Sequence, residues 1–260
     1  MDFQEFREAV YKKRGINLSG YKEKQLRRRI ESFMNASGVK DYKEFLHLLL
    51  KDQAKWEAFL DKVTINVSEF FRNPDIFEKL ERDILPKLVE GKRRIKIWSA
   101  ACSNGAEPYS IAIIMEERFP MVQYKITATD IDENILNAAR KGVYEERLIK
   151  NVSPQRLKKY FRIEPSGLYS VVPELKKHIT FLRHDLLVDR YDTDFDLIVC
   201  RNVNIYFTRA TQDKIYRDMN RSLKVGGVLF VGATENIMNY RDLGFDKLYH
   251  WFYIKRDHLS

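Results

Sequence analysis

The strongest constraint on the fold is an alternation of short apolar runs with helical segments that begins at Ile95. Runs without polar alternation are typical of strands covered on both faces, and they occur at residues 95–100 (IKIWSA), 125–130 (KITATD), 179–185 (ITFLRHD), 195–200 (FDLIVC) and 228–233 (VLFVGA). Helical patterns lie between them near residues 108–118, 133–141 and 209–223, and residues 248–255 suit a late edge strand. This alternation predicts a largely parallel, doubly wound Rossmann-like α/β domain.

Two further regions depart from the alternation. Residues 1 to about 88 show apolar residues at helical spacing, and TINVSEFFRNP at residues 64–74 interrupts that pattern like a linker. The stretch between Lys141 and Ile179 contains two β-prone pieces, YFRI and LYSVV, on either side of Ser166-Gly167. A structureless loop of that length is uncommon, so we expect a small inserted antiparallel β unit over about residues 145–177. The predicted domains are an all-α N-terminal domain with its linker (1–75) and an α/β domain (76–260).

The charge pattern suggests an acidic partner. The net charge is +9, and residues 11–30 hold eight basic residues against one acid. Arg27, Arg28 and Arg29 are followed by Ile30 and Phe33, which predicts an amphipathic helix with one cationic side. A nucleic acid, an anionic membrane surface or an acidic protein would fit such a face.

The remaining composition narrows the classes of protein. No apolar stretch approaches the ~18 residues needed to cross a bilayer, and MDFQEFREAV lacks the apolar core of a signal peptide, so we expect a cytoplasmic protein without membrane insertion. The two cysteines lie far apart, and no two of the five histidines stand at ligand spacing. We therefore predict neither a disulfide framework nor a metal site.

The first candidate site follows the strand IKIWSA. The loop AACSNG (residues 100–105) precedes a helix, and small residues there let the backbone turn tightly beneath a ligand at the helix N-terminus. Asp130 ends the next strand, where its carboxylate could accept both ribose hydroxyls of an adenosine group. Taken alone, the pair also fits a plain strand–helix turn with a capping aspartate. The loop lacks the three glycines of a dinucleotide site, which leaves a one-nucleoside cofactor such as S-adenosylmethionine open.

Four longer motifs carry a resemblance to a known family. TINVSEFFR, WSAACSNGAEPYS, ATDID and FDLIVCRNVNIYF occur in this order, and the chain resembles the chemotaxis receptor glutamate methyltransferases, the CheR family, from about residue 5 to its end. The resemblance implies a class I methyltransferase domain with an inserted β unit and an all-α domain before it. It implies methyl transfer from S-adenosylmethionine to receptor glutamates, giving methyl esters for sensory adaptation and S-adenosylhomocysteine as product. The partners would be glutamate-rich cytoplasmic helices of the receptors, with no nucleic acid expected.

The resemblance also implies roles for individual residues. Those that match the family's catalytic positions are Arg72 and Tyr206. Those that match cofactor contacts are Asn66, Ser68, Arg72, Gly105, Glu107, Asp130, Asp185, Leu186, Arg201 and Asn202, with Asp185 and Leu186 on either side of the adenine. The cationic helix becomes a receptor-docking face, with Lys24, Arg27 and Arg28 as its contacts. The short loop Pro165–Gly167 favours recognition that needs no receptor C-terminal peptide.

Three residues depart from the family pattern. Asn104 stands where threonine is usual, Ala106 replaces the first of two glutamates, and Asn204 occupies a position that is usually apolar. We expect Asn204 to be a tolerated surface change, with substrate contact as the alternative. Two other functions remain open at this point: a nucleic-acid methyltransferase, given the basic charge, and a non-catalytic module that binds S-adenosylmethionine.

Overall fold

The computed structural model describes residues 1–64 and 68–257, which divide into two compact units. The first unit contains the N-terminal helices together with Asp185–Asp189 and Tyr206–Ile215. The second contains both β-sheets and most of the later helices. Segments that are far apart in sequence therefore contribute to the first unit.

The first unit is built on the helices α1 (Phe3–Arg14), α2 (Glu23–Ala36), α3 (Tyr42–Lys51) and α4 (Gln53–Thr64). Asp2 caps α1, since its carboxylate accepts a hydrogen bond from the Glu5 N–H at 2.8 Å. Three phenylalanines from different helices form the centre of the unit: Phe45 lies 5.7 Å from Phe6 and 6.0 Å from Phe59, measured between ring centroids. The helical pattern of the sequence is thus realised as a bundle with an aromatic core.

The later helices of the described chain are α5 (Pro74–Lys79), α6 (Leu85–Val89), α7 (Ala106–Arg118), α8 (Glu133–Lys141), α9 (Pro154–Tyr160), α10 (Pro173–Lys176) and α11 (Arg209–Ser222). The strands are β1 (Arg94–Ala100), β2 (Gln123–Asp130), β3 (Val143–Tyr144), β4 (Phe161–Ile163), β5 (Tyr169–Val171), β6 (Ile179–Arg183), β7 (Phe195–Cys200), β8 (Leu223–Val231), β9 (Phe245–Tyr249) and β10 (Phe252–Lys255).

The main sheet of the second unit has the strand order β6-β2-β1-β7-β8-β10-β9. Neighbours from β6 to β8 are parallel, and β10 runs antiparallel to both β8 and β9. Residues 95–100 and 195–200 are buried apart from the half-buried Lys96, which agrees with strands covered on both faces. The predicted α/β class with a largely parallel sheet is confirmed. Its carboxyl edge is where a ligand is expected to bind.

The small sheet has the order β3-β5-β4, with antiparallel pairing throughout. The predicted pieces YFRI and LYSVV contain β4 and β5, so the inserted antiparallel unit is confirmed as an element of the fold. The two-residue strand β3 was not predicted, because Val143 and Tyr144 directly follow α8 and show no alternation of their own.

The strand predicted over 179–185 ends two residues earlier, at Arg183, and the one predicted over 125–130 begins at Gln123. Two further strand predictions differ more. The strand predicted at 228–233 is β8, which begins at Leu223 and runs through Gly226-Gly227. The predicted late strand over 248–255 is instead the second half of the β9–β10 hairpin. In both places a pattern of turn-forming or aromatic residues concealed the true limits of the strands.

Candidate cofactor and active site

The loop after β1 is tied to the end of β2 by backbone contacts. The two strands pair in parallel, with Ala100 opposite Thr129, so the loop leaves the sheet beside Asp130. The Cys102 N–H donates to the Thr129 carbonyl at 2.8 Å, and the Ser103 N–H donates to Asp130 Oδ2 at 2.8 Å. The predicted glycine loop and the predicted acid therefore lie together at the carboxyl edge of the sheet.

Gly105 is required by its surroundings as well as by its backbone. Its φ angle of 84° lies in the left-handed region, which suits glycine. A Cβ atom at this position would lie 2.9 Å from the Cβ of Ala139 in α8 and 3.3 Å from the Phe181 ring. The glycine therefore permits close packing where α7 begins.

Asp130 is buried, with 6% of its surface exposed. Burial raises the pKa of Asp130 to about 6, although the N–H groups of Asp132 and Ser103 donate to its carboxylate and oppose the rise. Each carboxylate oxygen has two lone pairs, so both can still accept from a ligand hydroxyl. The predicted ribose role is compatible with this geometry.

The same loop contains a buried hydroxyl that fits a polar ligand. Ser103 is 8% exposed, and its Oγ has no hydrogen-bond partner among the described residues. Its own backbone lies in the left-handed region, at φ 51°, and its N–H is held by Asp130. Buried polar groups normally have a partner, and a nucleoside lying against this loop would provide one. The donors and acceptors here therefore fit S-adenosylmethionine.

Glu107 lies in the first turn of α7 and is held from two strands. It accepts from Ser99 Oγ at 2.8 Å and from Arg201 Nη1 at 3.4 Å. Burial raises the pKa of Glu107, and the Arg201 charge opposes that rise. The carboxylate is thus directed by β1 and by the residue that follows β7.

Arg201 directly follows β7, and its side chain is 2% exposed. Nη2 donates to the Arg72 carbonyl at 3.0 Å and to Asn73 Oδ1 at 2.9 Å, while the group lies 4.8 Å from the centroid of the Phe230 ring. Arg201 therefore holds Glu107 and the Arg72–Asn73 turn in one network. Its contacts in the structure are with protein groups.

Arg72 lies in a turn whose flanking residues have unusual backbone angles. Phe71 and Asn73 have φ angles of 50° and 60°, in a region that residues other than glycine seldom adopt. The Phe71 N–H donates to the buried Ser110 Oγ at 2.9 Å, and the Arg156 guanidinium lies 4.7 Å from the Phe71 ring centroid. These contacts over-determine the turn, which is how strained backbone persists at functional sites.

Ser68 and the first two departures from the family pattern meet at the start of α7. Asn104 Nδ2 donates to the Ser68 carbonyl at 3.2 Å, and Asn104 Oδ1 accepts from the Ala106 N–H at 3.1 Å. Asn104 therefore joins the glycine loop to the segment before Arg72, and Ala106 is fully buried. The predicted contact Asn66 lies outside the described residues.

The loop after β7 corrects the expectation for Asn204. Asn204 is 1% exposed, so the interpretation as a tolerated surface change is wrong. Its Nδ2 lies 3.4 Å from Cys200 Sγ, and its N–H donates to Glu235 Oε1 at 2.9 Å. The position was misjudged because its burial and the Glu235 acceptor of its N–H come from tertiary structure. Asn202, in the same loop, has a φ angle of 59°.

Three other predicted site residues belong to the first unit: Asp185, Leu186 and Tyr206. Asp185 Oδ1 accepts from the Leu187 N–H at 2.8 Å, which closes a tight turn after β6, and Leu186 is buried. The Tyr206 carbonyl accepts from the Lys22 N–H at 2.9 Å, and the Arg29 guanidinium lies 4.6 Å from the Tyr206 ring centroid. Tyr206 is thus fixed to the start of α2.

The predicted docking residues lie on the exposed side of α2. Lys24, Arg27 and Arg28 are exposed and share one face, because their spacing is three and four positions. Arg27 forms an ion pair with Glu31 at 2.9 Å, so part of its charge is neutralised on the helix. The opposite face buries Leu26, Ile30 and Met34 in the bundle.

Several functional candidates escaped the sequence analysis. Ser110 and Asn73 support the Arg72 turn, Arg29 covers Tyr206, and Glu235 accepts from the loop after β7. A left-handed turn can be suspected from the Asn73-Pro74 pair, and Glu235 stands three residues after a glycine that follows a strand. Ser110 gave no local signal, and Arg29 was noted only as part of the cationic helix.

Both cysteines lie at this edge of the sheet. Cys102 is in the glycine loop and Cys200 ends β7, and both are buried and reduced. Burial raises the pKa of each thiol well above its ordinary value. Within residues 1–64 and 68–257, no group of three acidic, histidine or cysteine side chains could hold a metal ion. In the same ranges, no helix is both long and apolar enough to cross a bilayer.

The sheet, the glycine loop and the acid at the end of β2 fit an S-adenosylmethionine-dependent methyltransferase, and comparison with known families identifies that class. Residues 66–248 match the CheR methyltransferase SAM-binding domain, and residues 1–64 match the CheR methyltransferase all-alpha domain. The chain therefore belongs to the CheR methyltransferase family, and its cofactor is S-adenosylmethionine.

Curated relatives extend this similarity over nearly the whole chain. A chemotaxis protein methyltransferase of Listeria innocua is 43% identical over 98% of this chain and 97% of its own length. Those of Salmonella typhimurium and Pseudomonas aeruginosa are 36% and 34% identical over 91% and 93% of this chain, covering 84% and 92% of the relatives. The predicted family, fold class, enzyme class and cofactor are confirmed.

Proposed function

We propose that this enzyme transfers a methyl group from S-adenosylmethionine to glutamate side-chain carboxylates of chemotaxis receptors, giving glutamate methyl esters. The observation that carries the proposal is the similarity to chemotaxis protein methyltransferases along both the all-α domain and the cofactor domain. We further propose that the helices of the N-terminal domain, predicted with its linker as residues 1–75, dock the receptor. Residues 76–260 carry out the transfer together with linker residues such as Arg72, and the β unit over about 145–177 is an accessory docking element.

Methyl transfer to a carboxylate requires little acid–base catalysis. A glutamate with a pKa of ~4.3 is already ionised at neutral pH, so no base is needed to prepare the nucleophile. When bound, S-adenosylmethionine supplies an electrophilic methyl group on a sulfonium and leaves as S-adenosylhomocysteine. The protein has to align the two reactants and exclude water, because water stabilises the separated charges. We therefore assign the residues roles in orientation.

The assignments follow the chemistry of each group. Arg72 would hold a carboxylate through a bidentate contact, on the cofactor's methionine moiety or on the substrate glutamate. Asp130 would accept from the ribose hydroxyls, and Tyr206 would orient the reacting carboxylate through its hydroxyl. Further cofactor contacts are proposed for Asn66, Ser68, Gly105, Glu107, Asp185, Leu186, Arg201 and Asn202.

Receptor docking is proposed for the exposed side of α2. A cationic face would attract glutamate-rich helices and raise the rate of encounter. Arg28 and Lys24 are the stronger candidates, since Arg27 is paired with Glu31. Reversing the charge of Arg27 and Arg28 should raise the receptor KM several-fold while S-adenosylmethionine affinity, measured by calorimetry, stays unchanged. Loss of cofactor affinity in that variant would contradict the docking role.

The turn of the β4–β5 hairpin is short. The Glu164 N–H donates to the Leu168 carbonyl at 2.8 Å, which closes a tight loop around Pro165–Gly167. A short turn offers little surface for gripping an extended peptide, which supports recognition without a receptor C-terminal peptide. Equal methylation of receptor fragments with and without their C-terminal tail is the expected result.

The proposed activity is tested by tritiated methyl transfer to a receptor cytoplasmic fragment. We expect incorporation that is released by mild base, because an ester is base-labile and an N-methyl group is not. Arg72→Ala should reduce transfer about a hundredfold or more, the range for a lost charge-orienting contact. Arg82→Ala is the matched control, since the Arg82 side chain is 66% exposed and pairs with Glu78 on the helix surface.

Three outcomes would contradict the proposal. Base-stable label would indicate N-methylation, transfer to DNA or RNA instead of the receptor fragment would indicate a nucleic-acid methyltransferase, and absence of S-adenosylmethionine binding would indicate a non-catalytic module. Calorimetry with the cofactor alone separates the last outcome from the others.

A further inference from the structure

Glu235 is a buried carboxylate that the proposed transfer does not use. It is 5% exposed and follows β8 at the carboxyl edge of the sheet. Three backbone N–H groups donate to it: Gly232 at 2.6 Å, Asn202 at 2.8 Å and Asn204 at 2.9 Å. Charge-assisted bonds of this kind are among the strongest in proteins.

The three donors come from two different loops. β7 and β8 pair in parallel with Cys200 opposite Val231, so the loops that follow them leave the sheet side by side. Glu235 Oε2 accepts from both loops at once, from Asn202 and from Gly232. The carboxylate therefore sets the path of the Arg201–Asn204 segment relative to the end of β8.

The surroundings of Glu235 are built for a carboxylate. A Cβ atom on Gly232 would lie 2.5 Å from Glu235 Oε2 and 2.8 Å from the Asn202 nitrogen, so only glycine admits this approach. Asn202 itself has a φ angle of 59°, which asparagine tolerates better than most residues. Burial raises the pKa of Glu235, while the three N–H groups and the nearby Arg201 oppose the rise.

We propose that Glu235 is a positioning residue for methyl transfer, which holds the Arg201–Asn204 loop, with Asn202 in the left-handed region, in the conformation that presents Asn202 to the cofactor. The inference rests on the proposed function, which assigns Asn202 a cofactor contact. Glu235 acts through backbone groups, so its effect should appear in cofactor affinity more than in the rate of transfer from the bound state.

The test uses Glu235→Gln and Glu235→Ala in the full chain, with Asp196→Asn as the matched control. Asp196 is also a buried carboxylate that accepts from a backbone N–H, and it is the second residue of β7, at the amino edge of the sheet. The glutamine amide keeps one acceptor oxygen, but its NH2 group then faces backbone N–H donors. Alanine removes both acceptor oxygens. We expect the cofactor Kd to rise about tenfold for Gln and further for Ala, consistent with buried donors left unpaired.

Three measurements make the result specific. The S-adenosylmethionine KM should rise with Kd while kcat changes less than threefold, and Asp196→Asn should lower Tm without moving Kd. Amide hydrogen exchange at Asn202, Asn204 and Gly232 should accelerate in Glu235→Gln, which reports on the loop even if Glu235→Ala fails to fold. The inference is overturned if both Glu235 variants lower Tm but keep the wild-type Kd, or if exchange at these amides is unchanged in Glu235→Gln.

Failure of the proposed function would look different. Calorimetry and hydrogen exchange need no methyl acceptor, so they test Glu235 whatever the substrate is. Wild-type protein that binds S-adenosylmethionine but leaves the receptor fragment unlabelled would refute the proposed substrate and leave this inference standing.

Discussion

A buried charged side chain lies at each end of β7, and the balance between burial and stabilising partners differs between the two. At the amino end, Asp196 is fully buried but accepts from Lys92 Nζ at 2.8 Å, Lys224 Nζ at 2.9 Å and the Lys96 N–H at 2.9 Å. Burial raises the pKa of Asp196, yet these donors outweigh it and the pKa lies below its ordinary value. The charge is neutralised by lysines that still reach water.

At the carboxyl end the balance is reversed. The Arg201 guanidinium faces Glu107, a carbonyl and aromatic rings, and burial lowers the pKa of Arg201 against the attraction of Glu107. Nearby, burial raises the pKa of Asp130 to about 6. The charge at the amino end has partners that outweigh its burial, whereas burial outweighs the partners of the charges at the carboxyl end, as is typical of functional sites.

Removing a charge at the carboxyl end should have the largest effect. Arg201→Met would leave Glu107 without its cationic partner and release the Arg72–Asn73 turn, and breaking a buried pair costs about 3–5 kcal/mol. We expect that loss in denaturant unfolding, together with loss of measurable cofactor binding by calorimetry. A free energy of unfolding within about 1 kcal/mol of the wild-type value would show that the network is dispensable for the fold.

At the amino end, Asp196→Asn should affect stability alone. The asparagine amide bonds the two lysines more weakly than the carboxylate does, although the lysine ammonium groups can be solvated by water instead. We therefore expect the free energy of unfolding to fall by about 1–3 kcal/mol. Cofactor affinity should stay within twofold of wild type. A larger change in Kd would mean that the two ends of the strand are coupled, and the contrast drawn above would fail.

The pH dependence of stability tests directly whether the pKa of Asp130 is raised in the folded protein. Its folded-state pKa of about 6 lies above the unfolded value, so the charged form is disfavoured in the folded protein. The free energy of unfolding therefore increases as the pH falls through 6 toward the unfolded pKa, because the folded state binds the proton more tightly. Relative to Asp130→Asn, the wild type should gain about 1.5 kcal/mol between pH 7.5 and pH 5. Urea unfolding of both proteins at the two pH values gives the difference, in which other titrating groups cancel. A difference that is constant with pH would contradict the raised pKa.

The smallest effect is expected for one lysine at the amino end. Lys224 is 40% exposed at its side chain, and Asp196 keeps Lys92 and the Lys96 N–H when Lys224 is replaced. Lys224→Met should therefore cost less than about 1 kcal/mol, as partly exposed pairs usually do. Thermal unfolding at low and high salt is the measurement, and a loss as large as that of Asp196→Asn would show that this lysine alone neutralises the carboxylate.

Much of the framework was predictable from the sequence because it depends on local pattern. The continuous apolar runs of β1 and β7 and the loop before Gly105 follow from burial on both faces and from the need for small residues. By contrast, the bulge in β8 was missed because Gly226-Gly227 reads as a turn, while the structure keeps the pair inside the strand with a register shift against β7.

The supporting contacts of the site were not predictable in the same way. Arg201 reaches the Arg72 carbonyl across 129 positions of sequence, and Glu235 reaches Asn202 across 33. Asn204 looked like a surface residue because nothing in the local sequence shows that Glu235, 31 positions later, accepts from its N–H. Motifs identify the residues that face a ligand, whereas the residues that hold them depend on the completed fold.

The two buried cysteines have a practical consequence. With Cys102 beside Asp130 and Cys200 before Arg201, both thiols are shielded and protonated at neutral pH, so an alkylating reagent can react only after this edge of the sheet opens. The rate of alkylation therefore reports how often this edge opens in the native protein, without an engineered cysteine. If S-adenosylmethionine slows the labelling of both thiols, the ratio of the two rates measures how strongly the bound cofactor suppresses opening of that edge.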